Sequence, residues 1–252
     1  LGYREPTPIQ LQAIGPILDG RDILAAAQTG TGKTAAFGLP LVEKLLKGKV
    51  PRKARSAHAL ILAPTRELAA QIEEDIHNYA LGTGLKTALV FGGVNIRPQT
   101  AVLSGGVDIL VATPGRLLDH IGQGNLSLSD VHFLVLDEAD RMLDMGFTRD
   151  IRKILALVPK ARQTLLLSAT FNDEIHALAQ SILTDPVDIE ISKNKDCALV
   201  HQEVYFAAKK RKRDLLRDLI VDNDWEQVLV FTRMKHAANR LAEQLAKDGL
   251  TS

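Results

Sequence analysis

Short apolar runs that do not alternate are the strongest constraint on what this chain can fold into. ILAA at 23–26, ALILA at 59–63, ALVF at 88–91, ILVA at 109–112, FLVL at 133–136 and TLLL at 164–167 are apolar at nearly every position, and 187–191 reads as a last strand. A strand with one wet face alternates apolar and polar residues. A continuous run is what a strand buried on both faces requires. Segments 66–79, 116–121, 148–157 and 173–183 lie between the runs and carry helical spacing. An earlier helix is expected from Pro8, because Ile9, Ala13, Ile14, Ile17 and Leu18 recur at helical intervals and Gly20 can stop it. Strands alternating with helices predict an α/β domain, a parallel sheet with helices on both faces.

In such sheets ligands bind beyond the carboxyl ends of the strands. The chemically distinctive residues of this chain follow the apolar runs. After ILAA come Gly30, Gly32, Lys33 and Thr34, then a helix-compatible stretch. Glycines permit tight turns and close backbone approach to phosphate oxygens, and a helix N-terminus then faces the anion. In that loop Lys33 is expected to reach the β- and γ-phosphates and the Thr34 hydroxyl to ligate Mg²⁺. Ala27 stands where the general pattern has Gly. A Gly-rich turn with no ligand is the plainer alternative. Asp137, directly after FLVL, suits Mg²⁺ binding, and Glu138 is placed to orient or deprotonate water. A solvated acidic loop is the alternative there.

Ser168 and Thr170 end the next run, where their hydroxyls could bond Asp140 or simply cap the helix that follows. Arg66 and Arg116, with Thr65 and Thr113 beside them, are candidate phosphate ligands, and Gly92-Gly93 would let a backbone approach closely. Gln10 is either solvent-facing or reads an adenine edge. Aromatic residues make up only 4% of the chain, so base stacking is not the expected mode of nucleic-acid contact. A sugar-phosphate grip without base specificity is.

A net charge of +1 announces no nucleic-acid partner, so any basic surface has to be local. Cys197 is the sole cysteine, which excludes an internal disulfide and a cysteine-rich metal site. The seven histidines show no metal-ligand spacing and are expected to be structural. No apolar run approaches a membrane span and LGYREPTPIQ is no secretory signal, so no membrane contact and a reducing, cytoplasmic setting are expected. Lys209-Lys210-Arg211-Lys212-Arg213 reads as a solvated turn rather than an anion contact. The stretch 192–201 reads as a linker between a first domain, 1–191, and the start of a second α/β unit, 202–252, with strands at 202–206 and 228–231 and helices at 213–221 and 236–246.

Taken together the motifs resemble those of the DEAD-box ATP-dependent RNA helicases, over essentially the whole chain. Residues 2–10, GYREPTPIQ, are similar to the family's adenine-reading Q motif, and Ala27-Gln28-Thr29-Gly30-Thr31-Gly32-Lys33-Thr34 to its motif I, which itself begins with Ala. Pro64-Thr65-Arg66-Glu67-Leu68-Ala69 is similar to motif Ia, Gly92-Gly93 to the paired glycines, and Thr113-Pro114-Gly115-Arg116 to motif Ib. Asp137-Glu138-Ala139-Asp140 is similar to motif II, Ser168-Ala169-Thr170 to motif III, and Val230-Phe231-Thr232-Arg233 to motif IV. RMLDMGF, KKRKRDLL and QVLVFTRMKHAANRLAEQL look most like the bacterial RhlE type.

The resemblance implies two RecA-like domains that close on ATP·Mg²⁺ and single-stranded RNA, and that pry apart short RNA duplexes locally and without sequence preference. It implies that Tyr3 packs on adenine and Gln10 bonds its edge. Ala27 to Thr34 would cradle the nucleotide, and the residues from Pro64 to Arg66, Gly92 and Gly93, and Thr113 to Arg116 would hold RNA. Asp140, Ser168 and Thr170 would couple the two ligands. It places motifs V and VI, with the arginine fingers, beyond Ser252, so the chain is expected to be part of a longer protein. Ribosome or RNA-decay machinery is the expected class of partner. A DNA-directed helicase of the same superfamily and a non-catalytic RNA clamp are the competing readings.

Overall fold

The computed structural model describes residues 4–27, 30–48, 50–191, 201 and 203–250. Tyr3, Gln28, Thr29, Cys197 and all of the expected linker except His201 lie outside the described residues. The chain forms two compact units, Leu1–Lys195 and Asp196–Ser252.

In the first unit the elements run α1 (Pro8–Leu18), β1 (Ile23–Ala26), α2 (Lys33–Gly48), β2 (Ala57–Leu62), α3 (Arg66–Ala80), β3 (Thr87–Val90), α4 (Ile96–Ser104), β4 (Val107–Ala112) and α5 (Pro114–Gly122). They continue through β5 (Phe133–Leu136), α6 (Ala139–Asp144), α7 (Thr148–Leu157), β6 (Gln163–Ser168), α8 (Asp173–Ile182) and β7 (Val187–Glu190). The strands form one sheet in the order β3-β4-β2-β5-β6-β1-β7, and every pairing is parallel. All strands therefore end at one edge, as the apolar runs predict.

Burial follows the pattern of the runs. β2, β4, β5 and β6 are buried at every position, whereas β3 at one edge alternates and β7 at the other exposes Asp188 and Glu190. Because successive side chains point to opposite faces, each central strand feeds two cores. Ala59, Ile61, Ile109, Val135 and Leu165 pack on one side with Ile9 of α1, Phe37 and Leu41 of α2 and Ile72 and Ile76 of α3. Leu60, Leu62, Leu110, Leu134 and Leu166 pack on the other with Leu103, Leu117, Met142, Ile151, Ile154 and Ile175. Each fully buried Leu or Ile contributes about 1.5–3 kcal/mol relative to exposure, so both faces of the sheet are held by apolar burial.

Two helices were not legible as apolar periodicity. α4 buries only Gln99 and Leu103, and α6 spans 6 residues, too short to show a period. Among the described residues no helix is long and apolar enough to cross a membrane.

The second unit holds α9 (Lys212–Asp222) and α10 (Lys235–Lys247). The strands expected at 202–206 and 228–231 are not formed among its described residues, which are irregular there and join no sheet. A strand needs a neighbour to take its backbone hydrogen bonds, and among the described residues these segments have none. Phe206 and Phe231 are 98% and 87% exposed. The basic run forms a short 3-10 turn at Lys209–Arg211 leading into α9, and it is solvated.

Candidate functional site

The loop after β1 turns on Gly30 and Gly32, both at positive φ (+80° and +86°), a region closed to most side chains. It delivers Lys33 to the first position of α2. The Lys33 ammonium is buried; it donates to the Ala27 carbonyl at 3.1 Å and lies 3.4 Å from Asp137 Oδ1. Ala27 N donates to the Ser168 carbonyl at 3.0 Å, extending the β1–β6 register in which Ala26 faces Ser168. Parallel pairing thus brings the glycine loop, the acids after β5 and the hydroxyls after β6 to one rim.

Gln10 joins them from α1. Its amide oxygen accepts from Thr7 N at 3.0 Å and its Nε2 donates to the Gly32 carbonyl at 3.2 Å. Gln10 is therefore part of the phosphate-loop architecture, with one amide N–H and one oxygen lone pair unassigned by these bonds.

A cleft of about 500 Å³ opens over this loop, lined by Gly30, Gly32, Lys33, Thr34 and Asp137, with Asp75 and Tyr79 of α3 on its other wall. Two larger hollows, of about 570 and 820 Å³, lie elsewhere and are lined by none of Gly30, Gly32, Lys33 and Asp137. Asp75 was not foreseen. Burial and neighbouring Glu74 push its carboxyl above the ordinary range, and a hydrogen bond with Thr34 opposes them. Nothing in the local sequence marks Asp75, because α2 and α3 meet only by packing on the same face of the sheet.

Asp137 is buried, and that burial, opposed first by Lys33, pushes its carboxyl above the usual carboxylate range; Glu138 pushes the same way. Glu138 occupies the left-handed region (φ 50°, ψ 52°) at the start of α6, an uncommon conformation for a non-glycine residue. Its backbone N–H donates to Asp137 Oδ1 at 3.0 Å, and its carboxylate lies 3.4 Å from Arg141 Nη1.

Asp140 Oδ2 accepts from both Thr170 N (2.9 Å) and Thr170 Oγ1 (2.8 Å), while Ser168 Oγ donates to the Thr170 carbonyl at 2.7 Å. The N-cap of α8 is Asn172, whose side chain accepts from Ile175 N at 2.9 Å. Of the two roles open to the hydroxyls, capping thus falls to Asn172 and the Asp140 contact to Thr170.

The basic residues divide. Pro64 and Thr65 lead into α3, where Thr65 Oγ1 accepts from Leu68 N at 3.2 Å; Arg66 is exposed and pairs with Glu67 at 2.5 Å. Arg116 is mostly buried. Its Nη2 donates to the Val94 carbonyl at 2.8 Å, its Nε lies 3.8 Å from Asp119, and its Nη1 has no hydrogen-bond partner among the described residues. The guanidinium is therefore engaged with the loop that carries Gly92 and Gly93 rather than projecting into solvent. Thr113, Pro114 and Gly115 form the start of α5, with Pro114 in the first turn. There the missing proline N–H costs nothing, and the remaining free N–H groups face the rim.

Lys33, Thr34 and Asp137 fit a nucleotide triphosphate with its magnesium ion. A buried ammonium and the open backbone at Gly30 suit the phosphates, and a buried carboxylate lining the same cleft as a hydroxyl gives hard oxygen donors for the metal. A methyl at Gly30 would meet nothing within 4 Å, which leaves the backbone there open to a ligand.

A family model described as DEAD/DEAH box helicase matches residues 7–178. The ATP-dependent RNA helicase RhlB of Pseudomonas aeruginosa (strain UCBPP-PA14) is 44% identical over 258 aligned residues, covering 100% of this chain and 65% of that protein. The DEAD-box ATP-dependent RNA helicase CshA of Geobacillus kaustophilus (strain HTA426) is 41% identical over 251 residues, covering 99% of this chain and 52% of that protein. The chain thus spans between about half and two thirds of these relatives. A crystal structure of a DEAD box protein from the hyperthermophile Methanococcus jannaschii superposes with a TM-score of 0.69 at 37% identity, covering 99% of this chain and 66% of that one. These names do not carry the RhlE-type likeness expected from RMLDMGF.

Proposed function

Because this chain belongs to the DEAD/DEAH box helicase family, we propose that it carries the ATP-binding half of an ATP-dependent RNA helicase that opens or remodels short RNA duplexes. The observation that carries the reading is the buried contact between Lys33 Nζ and Asp137 Oδ1 at 3.4 Å, with the Asp140–Thr170 bonds beside it.

When bound, magnesium would draw charge from the β- and γ-phosphates. Thr34 and Asp137 would hold it, and the Lys33 ammonium would neutralise the phosphate oxygens. Gln10, tied to Gly32, recognises the adenine edge, and the resemblance assigns Tyr3 to the ring. Ala27 and Thr31 complete the cradle, to which the resemblance also assigns Gln28 and Thr29. Glu138 orients water and takes its proton. The Asp140–Thr170 contact couples the acids after β5 to the loop after β6. On the RNA side, backbone N–H groups at Gly92-Gly93 and at the start of α5, with Arg66, grip sugar and phosphate. That grip reads no bases, in keeping with the low aromatic content. We assign the protein to the cytoplasm, with ribosomal or RNA-decay complexes as its setting and an RhlE-type lineage.

The test is phosphate release by the full-length protein with single-stranded RNA or DNA of the same sequence. Stimulation by RNA alone is expected. Equal stimulation by DNA favours a DNA-directed helicase, and nucleotide-dependent RNA binding without turnover favours a clamp.

A further inference from the structure

The glycine pair after β3 has no side chains with which to hold its own shape. A methyl built at Gly92 or Gly93 would meet nothing within 4 Å, so packing does not fix the loop. Hydrogen bonds from α4 and α5 reach its two ends. On the far side Arg116 Nη2 donates to the Val94 carbonyl at 2.8 Å. On the near side Gln99 Nε2 donates to the Phe91 carbonyl at 3.1 Å, and Gln99 Oε1 lies 3.2 Å from His120 Nε2.

This second link has one consistent proton arrangement. The Gln99 amide nitrogen is committed to Phe91, so its oxygen faces His120 and can only accept. His120 must then carry a proton on Nε2. Its Nδ1 is buried with no hydrogen-bond partner among the described residues, as suits a bare lone pair. His120 is fully buried and Gln99 nearly so. Burial, then neighbouring Arg116, hold the imidazole below its ordinary pKa, with Asp119 opposing them.

Arg116 and His120 are four residues apart and so occupy one face of α5. The helix whose first residues, Thr113-Pro114-Gly115, belong to the proposed RNA grip also holds the far end of the neighbouring glycine loop directly and its near end through Gln99 of α4. We propose that His120, acting through Gln99, is a positioning residue that fixes the Phe91 carbonyl and so aims the Gly92-Gly93 backbone at RNA phosphates. The proposal rests on the RNA reading given above.

The test uses the full-length protein and three variants. His120→Leu keeps bulk and removes the N–H, His120→Gln keeps a donor, and Gln99→Leu removes the relay. Amide hydrogen exchange across 91–94 is measured without RNA, and KM is measured for single-stranded RNA and for ATP. His120→Leu and Gln99→Leu are expected to speed exchange at 91–94. They should also raise the KM for RNA about tenfold without moving that for ATP, the scale of one lost hydrogen bond. Their double variant should be no worse than either alone, and His120→Gln should return toward wild type. Unchanged exchange at 91–94, loss of thermal stability with an unchanged KM for RNA, or a His120→Gln no better than His120→Leu would each overturn the assignment. A wild-type protein that RNA does not stimulate would instead overturn the RNA reading, and the exchange measurement still decides the His120–Gln99 linkage.

Discussion

At the scale of single residues, the nucleotide cleft separates binding from chemistry. Lys33 is buried against Ala27 and Asp137, whereas the Glu138 carboxylate reaches only Arg141 among the described residues. Lys33→Ala removes the phosphate-neutralising charge and leaves a buried carboxylate without its partner. It is expected to weaken nucleotide binding by tenfold or more, ~1.4 kcal/mol. Glu138→Gln keeps shape and removes the base. Turnover should therefore collapse while nucleotide affinity in equilibrium titration stays near wild type. Equal loss of affinity in both variants would show the division to be wrong.

Gly32 supplies a second residue-scale test. A methyl there would lie 2.7 Å from Gln10 Nε2 and 3.1 Å from Thr7 Oγ1, on backbone at φ +86°. Gly32→Ala is expected to displace Gln10 as well as strain the loop. Selectivity for ATP over GTP should then fall together with affinity. Gln10→Ala should lower selectivity too, and by removing the donor to the Gly32 carbonyl it should loosen the loop without adding strain at Gly32. Retention of wild-type selectivity by Gly32→Ala would argue that Gln10 does not read the base.

At the scale of elements, α8 and the segment before it divide two jobs that sequence left undivided. Asn172→Ala removes the N-cap of α8 and is expected to cost about 1 kcal/mol of unfolding free energy, read by urea titration, with RNA-stimulated turnover unchanged. Thr170→Ala removes the hydroxyl bond to Asp140 and leaves the cap in place. It should lower RNA stimulation of ATP turnover more than it lowers stability. If the two variants behaved alike, capping and coupling would be one function of this corner. Asp140 itself sits in the first turn of α6, so its carboxylate also favours that helix electrostatically.

At the scale of the whole molecule, the two units differ in how much they bury. The first has a sheet covered on both faces, while the second leaves Val204, Phe206, Leu229 and Phe231 more than four fifths exposed. A unit that buries so little apolar surface gains little against the entropy of ordering its chain. The only tryptophan of the chain, Trp225, lies in this second unit. For the 252-residue chain in urea, tryptophan fluorescence is expected to change at lower denaturant than the helical circular dichroism signal. A single coincident transition by both probes would show that the second unit is as stable as the first.

What the sequence determined by itself is what local chemistry can encode. Continuous apolar runs specify strands covered on both faces, and β1 and β5 begin and end where ILAA and FLVL do. Gly30 and Gly32 specify the positive-φ turns, and the polar residues closing each run specify one functional rim once the strands are parallel. Only the tertiary structure decided which of those residues meet. The register of β1 on β6 and of β5 on β6 brings Lys33 to Asp137; packing of α3 beside α2 sets Asp75 against Thr34; packing of α5 under the loop after β3 turns Arg116 toward Val94 and His120 toward Gln99. It also decided that 202–206 and 228–231, strand-like by composition, remain irregular among the described residues of their unit. The physical reason is common to all of these. Periodicity and turn chemistry act over a few neighbouring residues, whereas a hydrogen bond between distant side chains, or a strand's need for a partner, is met only by the folded chain.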